Sequence, residues 1–216
     1  MSRNQRATVF LCIILVGGTT ACQKAYYNTM EAMGFDKREI LVDRVEETRD
    51  AQTSAKEQFA SALEQFRSMV NVEGGDLERV YDRLNREYAR SETRAEVVRE
   101  RIASVEAVAE ALFKEWQAEL DQYSKPSLRR DSERLLKDTR DRYRGLIAAM
   151  RRAERAMTPV LAALQDQVLV LKHNLNARAI GALRNELATI ERDTAALIAE
   201  MERAIAEADA FIKAMG

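Results

Sequence analysis

Histidine is almost missing from this 216-residue chain: there is one, His173. Cysteine and proline occur twice each, and tryptophan once. A single histidine excludes a metal site built from several imidazoles, and neither cysteine remains as a ligand once the N-terminal segment is read as below. His173 falls at the end of a helical stretch, where an imidazolium answers the helix dipole. There is no HExxH, GxSxG, Walker loop or GxGxxG motif, and no Glu-x-x-His pair of the kind that di-iron bundles need. Gly74-Gly75 reads as a turn, not a phosphate cradle. Carboxylate neighbours such as Glu46-Glu47 lie on a polar helix face and read as solvated charge. The expectation is a protein that is not an enzyme, with no catalytic residues, no metal and no cofactor.

Long apolar runs are scarce as well. The only sizeable one lies in VFLCIILVGGTTACQK, residues 9–24, which carries no charge before Lys24. From Val9 to Ala21 it is too short for a bilayer-crossing helix, which needs about 20 apolar residues. Arg3 and Arg6 precede it with no acid. A basic head, a short apolar run and small residues make a secretory signal peptide over residues 1–21. The run ends Thr19-Thr20-Ala21-Cys22, which resembles a bacterial lipobox, with Thr19 standing where leucine is usual. The resemblance implies cleavage before Cys22 and a diacylglycerol thioether on it. Cys12 would leave with the signal, so residues 22–216 would hold neither a free thiol nor a disulfide. Gln23, rather than Asp, after the cysteine implies sorting to the outer membrane, facing the periplasm. Residues 22–35 then form a lipid-anchored linker.

Charge of one sign is not in excess. Removing Arg3 and Arg6 leaves 32 basic against 35 acidic residues, a net of −3. Overall charge gives nucleic-acid binding no support.

What is abundant is Ala, Glu, Arg and Leu, in coiled-coil proportions. Apolar residues recur in alternating steps of three and four. One stripe runs Leu41, Val45, Thr48, Gln52, Ala55, Phe59, Ala62, Phe66 and Met69. A second runs from Leu77 to Tyr123 through Leu84, Tyr88, Ser91, Ala95, Ile102, Ala109 and Trp116. A third runs from Leu135 to Leu171 through Thr139, Tyr143, Leu146, Met150, Ala153 and Met157. A fourth runs from Ile180 to Met215 through Leu183, Ile190, Thr194, Leu197, Met201, Ile205, Ala208 and Ile212. No strand-like alternation of useful length occurs. Asp36 with Glu39 makes a capping box, and Phe35 can staple to Ile40. Gly74-Gly75-Asp76, Ser124-Lys125-Pro126-Ser127 and Asn174-Leu175-Asn176 mark breaks. The predicted helices are 36–72, 76–123, 127–173 and 177–214, with a kink at Pro159. The fold class is therefore all-α: an elongated antiparallel coiled-coil-like four-helix bundle over residues 36–216.

Short loops make sequential helices antiparallel, so facing residues have a constant sum of positions. Charge then suggests registers. Glu64–Arg83, Glu57–Arg90, Lys56–Glu92, Arg49–Glu100 and Glu47–Arg101 join the first and second helices. Glu119–Arg130, Glu115–Arg134, Glu110–Arg140 and Glu106–Arg144 join the second and third. Asp166–Arg184, Arg152–Glu200 and Arg142–Asp209 join the third and fourth. Residues 124–127 and the C-terminus share the membrane end. Val72, Glu73, His173, Asn174 and Asn176 lie at the far end. Lys125, Arg129 and Arg130 cluster at the membrane end and are the candidates for lipid headgroup contact.

The stretches REILVDRVEETRDAQTSAKEQFASALEQF (38–66) and LVLKHNLNARAIGAL (169–183) resemble segments of an uncharacterised bacterial family, domain of unknown function 2959. The resemblance covers nearly the whole length after Cys22 and implies a helical envelope lipoprotein. It brings no catalytic or binding residue with it. Two function classes are expected. The first is a membrane-anchored structural or protein-interaction module whose partner is an envelope protein or peptidoglycan, with a homo-oligomer open. The second is a carrier of a small apolar ligand or lipid, held in a gap left by Ala95, Ala109 and Ala153.

Overall fold

Among the described residues there are four α-helices. The computed structural model describes residues 36–70, 77–173 and 177–215. Helix α1 is Lys37–Val70, α2 is Leu77–Glu119, α3 is Pro126–His173 and α4 is Ala177–Met215. A single 3₁₀ turn, Leu120–Gln122, closes α2. Among the described residues there is no strand. The four helices pack into one compact unit, Arg38–Gly216. Pro126 opens α3, where its missing N–H costs nothing and its fixed φ suits the first turn. Helix α3 runs through the exposed Pro159 without interruption. Of the expected caps, Asp36 immediately precedes α1, while Phe35, Asp76 and Asn176 lie outside the described residues.

The stripe of α1 is buried at every one of its nine positions, Leu41 to Met69. Its steps alternate four and three without a fault, so one face stays on the seam throughout. Phe59 and Phe66 are fully enclosed; truncating such a side chain to alanine costs about 3–5 kcal/mol.

The other stripes need correction. At the start of α3 the buried residue is Leu136, at 2 % exposure, and not Leu135, at 54 %. In α4 the seam continues through Ala204 and Phe211, while Ile205 and Ile212 are half-buried flanks. In α2, Glu87 is buried where Tyr88 was expected, and Tyr123 is exposed. Except at Tyr123, whose neighbours are exposed as well, each difference falls where two adjacent residues could serve and the neighbouring helix selects one. Glu87 can be buried because Gln58 donates to it from α1 at 2.9 Å and Arg90 from its own helix at 2.9 Å; a buried carboxylate requires such partners.

The helices form a ring of antiparallel neighbours. Arg101–Glu47 (2.7 Å) joins α2 to α1, and Arg152–Glu200 (3.5 Å) joins α3 to α4, both as expected from charge. The ring closes through α1 and α4. Arg49–Asp209 (3.2 Å), Lys56–Glu202 (3.6 Å) and Arg67–Glu191 (2.6 Å) link them. The positions in each of these pairs add up to about 258, as antiparallel neighbours in one register must.

Most other expected pairs are displaced. Arg49 and Lys56 turn to α4 instead of α2. Arg90, Arg134 and Arg144 pair three residues back on their own helices, with Glu87, Asp131 and Asp141. Arg184 donates to the carbonyl of Val70 at 2.9 Å. Exposed pairs are worth less than about 1 kcal/mol, so a long side chain takes whichever carboxylate the packed backbone brings nearest. Buried seams set the register and the charges follow.

Candidate functional site

The end of the bundle formed by the α2–α3 turn differs from the rest. Helices α1 and α4 are tied near both ends of α1. Arg38 of α1 donates to the carbonyl of Met215, and Arg184 of α4 donates to the carbonyl of Val70. Each guanidinium thereby answers a carbonyl at a helix C-terminus that has no intrahelical donor. Helix α1 has 34 residues and α2 has 43; α4 has 39 and α3 has 48. At the opposite end only six residues separate α1 from α2 and three separate α3 from α4. The nine surplus residues of α2 and of α3 therefore project past α1 and α4, by about 14 Å at 1.5 Å per residue.

This two-helix overhang has its own supports. The Phe113 and Tyr143 rings meet edge to face, with centroids 5.4 Å apart. The Arg140 guanidinium lies 5.5 Å from the Phe113 centroid and donates to the Phe113 carbonyl and to Gln117 Oε1. Trp116, half-buried on its stripe, donates from Nε1 to Ser132 Oγ at 2.9 Å. Leu120 and Leu136 are both 2 % exposed. Just inside the overhang, Arg151 forks onto both carboxylate oxygens of Glu106 and also holds Glu154 at 2.6 Å. These carboxylates raise the Arg151 pKa well above its ordinary value. Burial pushes the Tyr143 hydroxyl up to about 12, with the negative charge of Glu106 adding to it and Arg151 opposing.

At the tip lie the three candidate headgroup residues. Arg129 is engaged: it meets Asp121 at 3.1 Å and Glu133 at 2.9 Å, and its pKa is raised by the Glu133 hydrogen bond first and by Asp121 next. Lys125 and Arg130 are exposed and join none of the ion pairs found among the described residues. Beside them stand Tyr123 and Leu128, and two turns further along α3 Leu135, at 42, 49 and 54 % exposure. Among the described residues only Leu169 is a further large apolar side chain so exposed. Both Tyr123 and Leu135 belong to the expected stripes: Leu136 takes the seam in place of Leu135, and Tyr123 lies past α2, where nothing in a heptad pattern says that the partner helices stop short.

Cys22 lies outside the described residues, as do Val72, Glu73, Asn174 and Asn176. His173 is the last residue of α3 and is exposed. Among the described residues no group of three or more His, Cys, Asp or Glu side chains is placed to hold a metal ion, and no helix is long and apolar enough to cross a membrane.

A second feature lies within the seams. Gln52 is fully buried, and both its Nε2 and Oε1 lack a hydrogen-bond partner. Ser91 Oγ, Gln167 Oε1 and Thr194 Oγ1 are likewise without one. Thr48, one turn from Gln52, satisfies itself by donating to the Arg44 carbonyl at 2.7 Å, a local bond open to threonine on a helix. Glutamine extends its amide past its own backbone and depends on neighbours. Ala95, Ala109 and Ala153 are fully buried on the same seams.

The profile of the family described as "Protein of unknown function (DUF2959)" matches residues 26–215. The chain belongs to this family. The match covers the whole bundle of this DUF2959 protein, overhang and orphaned seam amides included. No curated protein matches the chain.

Proposed function

We propose that this DUF2959 protein is a lipid-tethered structural or protein-interaction module of the bacterial cell envelope. Residues 1–21 are the signal, Cys22 carries the lipid, and residues 22–35 link it to the bundle on the periplasmic face of the outer membrane. Its partner is an envelope protein or peptidoglycan. The observation that carries this reading is the bundle itself: helices as long as α3, roughly 70 Å, with continuous buried seams closed through α1 and α4. Such a bundle holds surfaces at a fixed distance from an anchor. A diacyl-cysteine supplies two chains, enough for stable attachment.

The experiment combines anchor and partner. Globomycin should make an uncleaved precursor accumulate, Cys22→Ser should release the protein from membranes, and gentle solubilisation should recover a stoichiometric protein or peptidoglycan fragments. Identical processing and fractionation of the Ser variant would remove the tether.

A second reading is supported by the orphaned Gln52 amide: the bundle holds a small ligand or lipid within its seams. Native mass spectrometry of protein extracted gently from membranes separates the two, because this reading requires a bound small molecule and the first a macromolecule.

A further inference from the structure

We propose that the α2–α3 tip is a second, peripheral membrane contact, with Tyr123, Leu128 and Leu135 seated in the headgroup region of an anionic bilayer and Lys125 and Arg130 on its phosphates. This deepens the tethered reading and rests on it for the direction from which the bilayer is met.

Three observations converge. First, three of the four large exposed apolar side chains among the described residues fall between positions 123 and 135. Leu128 and Leu135 are seven residues apart on α3 and so share a face. An aromatic ring with a polar tip, leucines and basic residues are the composition of interfacial segments.

Second, the charge fits. From Gln122 to Arg130 the chain carries Lys125, Arg129 and Arg130 and no acid. Arg129 is neutralised by Asp121 and Glu133, which leaves two cations beside the apolar side chains. A second copy of this chain docking tip to tip would bring those cations together. Three side chains also fall far short of the roughly 1,000 Å² that a stable protein interface buries.

Third, the geometry permits it. The tip projects about 14 Å beyond the start of α1, at the end where the anchored segment enters. Residues 23–36, fourteen in number, can span up to about 50 Å when extended, so the tether does not hold the tip away from the bilayer. Trp116–Ser132 ties α2 to α3 within the tip, and Phe113–Tyr143 and the buried Leu120 and Leu136 continue that packing towards the bundle.

The test uses the lipidated full chain in vesicles of phosphatidylethanolamine and phosphatidylglycerol. A thiol-reactive, environment-sensitive dye is placed at Leu128→Cys, at Leu135→Cys and, as a control near the other end of α3, at Leu169→Cys. Helical circular dichroism confirms the fold of each. The expected result is a blue shift and quenching by headgroup nitroxide lipids at 128 and 135, and neither at 169. A protein that floats with the vesicles while the dye at 128 reports water overturns the proposal and leaves the tether standing. A dye at 128 shielded without vesicles, in proportion to protein concentration, also overturns it and assigns the tip to a second copy.

The unlabelled Cys22→Ser chain supplies the converse. It should still bind phosphatidylglycerol vesicles weakly, releasing as salt rises. The double variant Lys125→Gln/Arg130→Gln, at two exposed positions, should bind at least tenfold more weakly, at about fivefold per basic residue. Weak binding that survives when Cys22→Ser is otherwise processed and fractionated like the parent supports the tip and removes the tether. Binding unchanged by the double substitution overturns the tip.

Discussion

Arg67 near the end of α1 donates from Nε to Glu191 of α4 at 2.6 Å, across 124 positions of sequence. The pair is exposed and adds little stability. It matters as a marker, because it lies in one register with Lys56–Glu202 and Arg49–Asp209. Three pairs in a single register require the first and last helices to be neighbours along their full length. The bundle is therefore closed, and every seam has two walls.

The choice between Leu135 and Leu136 gives the most direct check of the seam. Leu136→Ala should destabilise the protein by about 2–4 kcal/mol, because the side chain is 2 % exposed. Leu135→Ala should change stability by no more than about 0.5 kcal/mol, because that side chain is 54 % exposed. Urea denaturation of the two variants decides it; equal effects would mean that α3 is rotated by one residue.

Gln52→Leu should stabilise. The amide is buried with neither end bonded, and relieving such a group recovers about 1–3 kcal/mol. Leucine has a similar volume, so no cavity opens. The melting temperature should rise. A fall would show that an internal water or a ligand satisfies the amide, and would favour the ligand-holding reading over the purely structural one.

Tyr143 ties stability to alkaline pH. Its folded pKa, about 12, exceeds the ordinary tyrosine value of 10. The folded state therefore retains a proton that the unfolded state releases. The contribution is complete below pH 10 and is lost as pH rises from about 10 towards 12. Melting curves across that range should fall more steeply for the parent than for Tyr143→Phe, which has no proton to release. Parallel curves would mean that the hydroxyl is solvated.

Arg151 and Glu106 should show measurable coupling. The guanidinium takes both carboxylate oxygens and both side chains are about two-thirds covered, so a double-mutant cycle with Arg151→Met and Glu106→Gln should give about 1 kcal/mol. Arg152–Glu200, longer at 3.5 Å and with Glu200 shared with Arg203, should show a smaller coupling, and one more easily removed by salt. The reverse order would mean that α2 and α3 sit in another register.

Much of this protein is determined by the order of its residues alone. The heptad steps, the breaks at 71–76, 124–126 and 174–176, and the scarcity of glycine and proline elsewhere yield four antiparallel helices with bounds within a few residues of those observed. The α1 stripe is legible at all nine positions because its steps of four and three keep one face on the seam, even with Ile40 and Val70 buried beside its ends. Periodicity is a property of one helix, so it can be read from one segment. Which of Leu135 or Leu136, Ile205 or Ala204, Ile212 or Phe211 turns inward is decided between helices: both members of each pair are apolar or small, and an α-helix drifts against a seven-residue repeat until a neighbour holds it. Ion pairing behaves likewise, since weak exposed charges settle on whatever the packed backbone presents. The α2–α3 overhang depends on comparing helix lengths once α1 and α4 are tied near both ends of α1. Only the assembled bundle leaves Tyr123 and Leu128 past the ends of α1 and α4, and turns Leu136 inward with Leu135 left exposed.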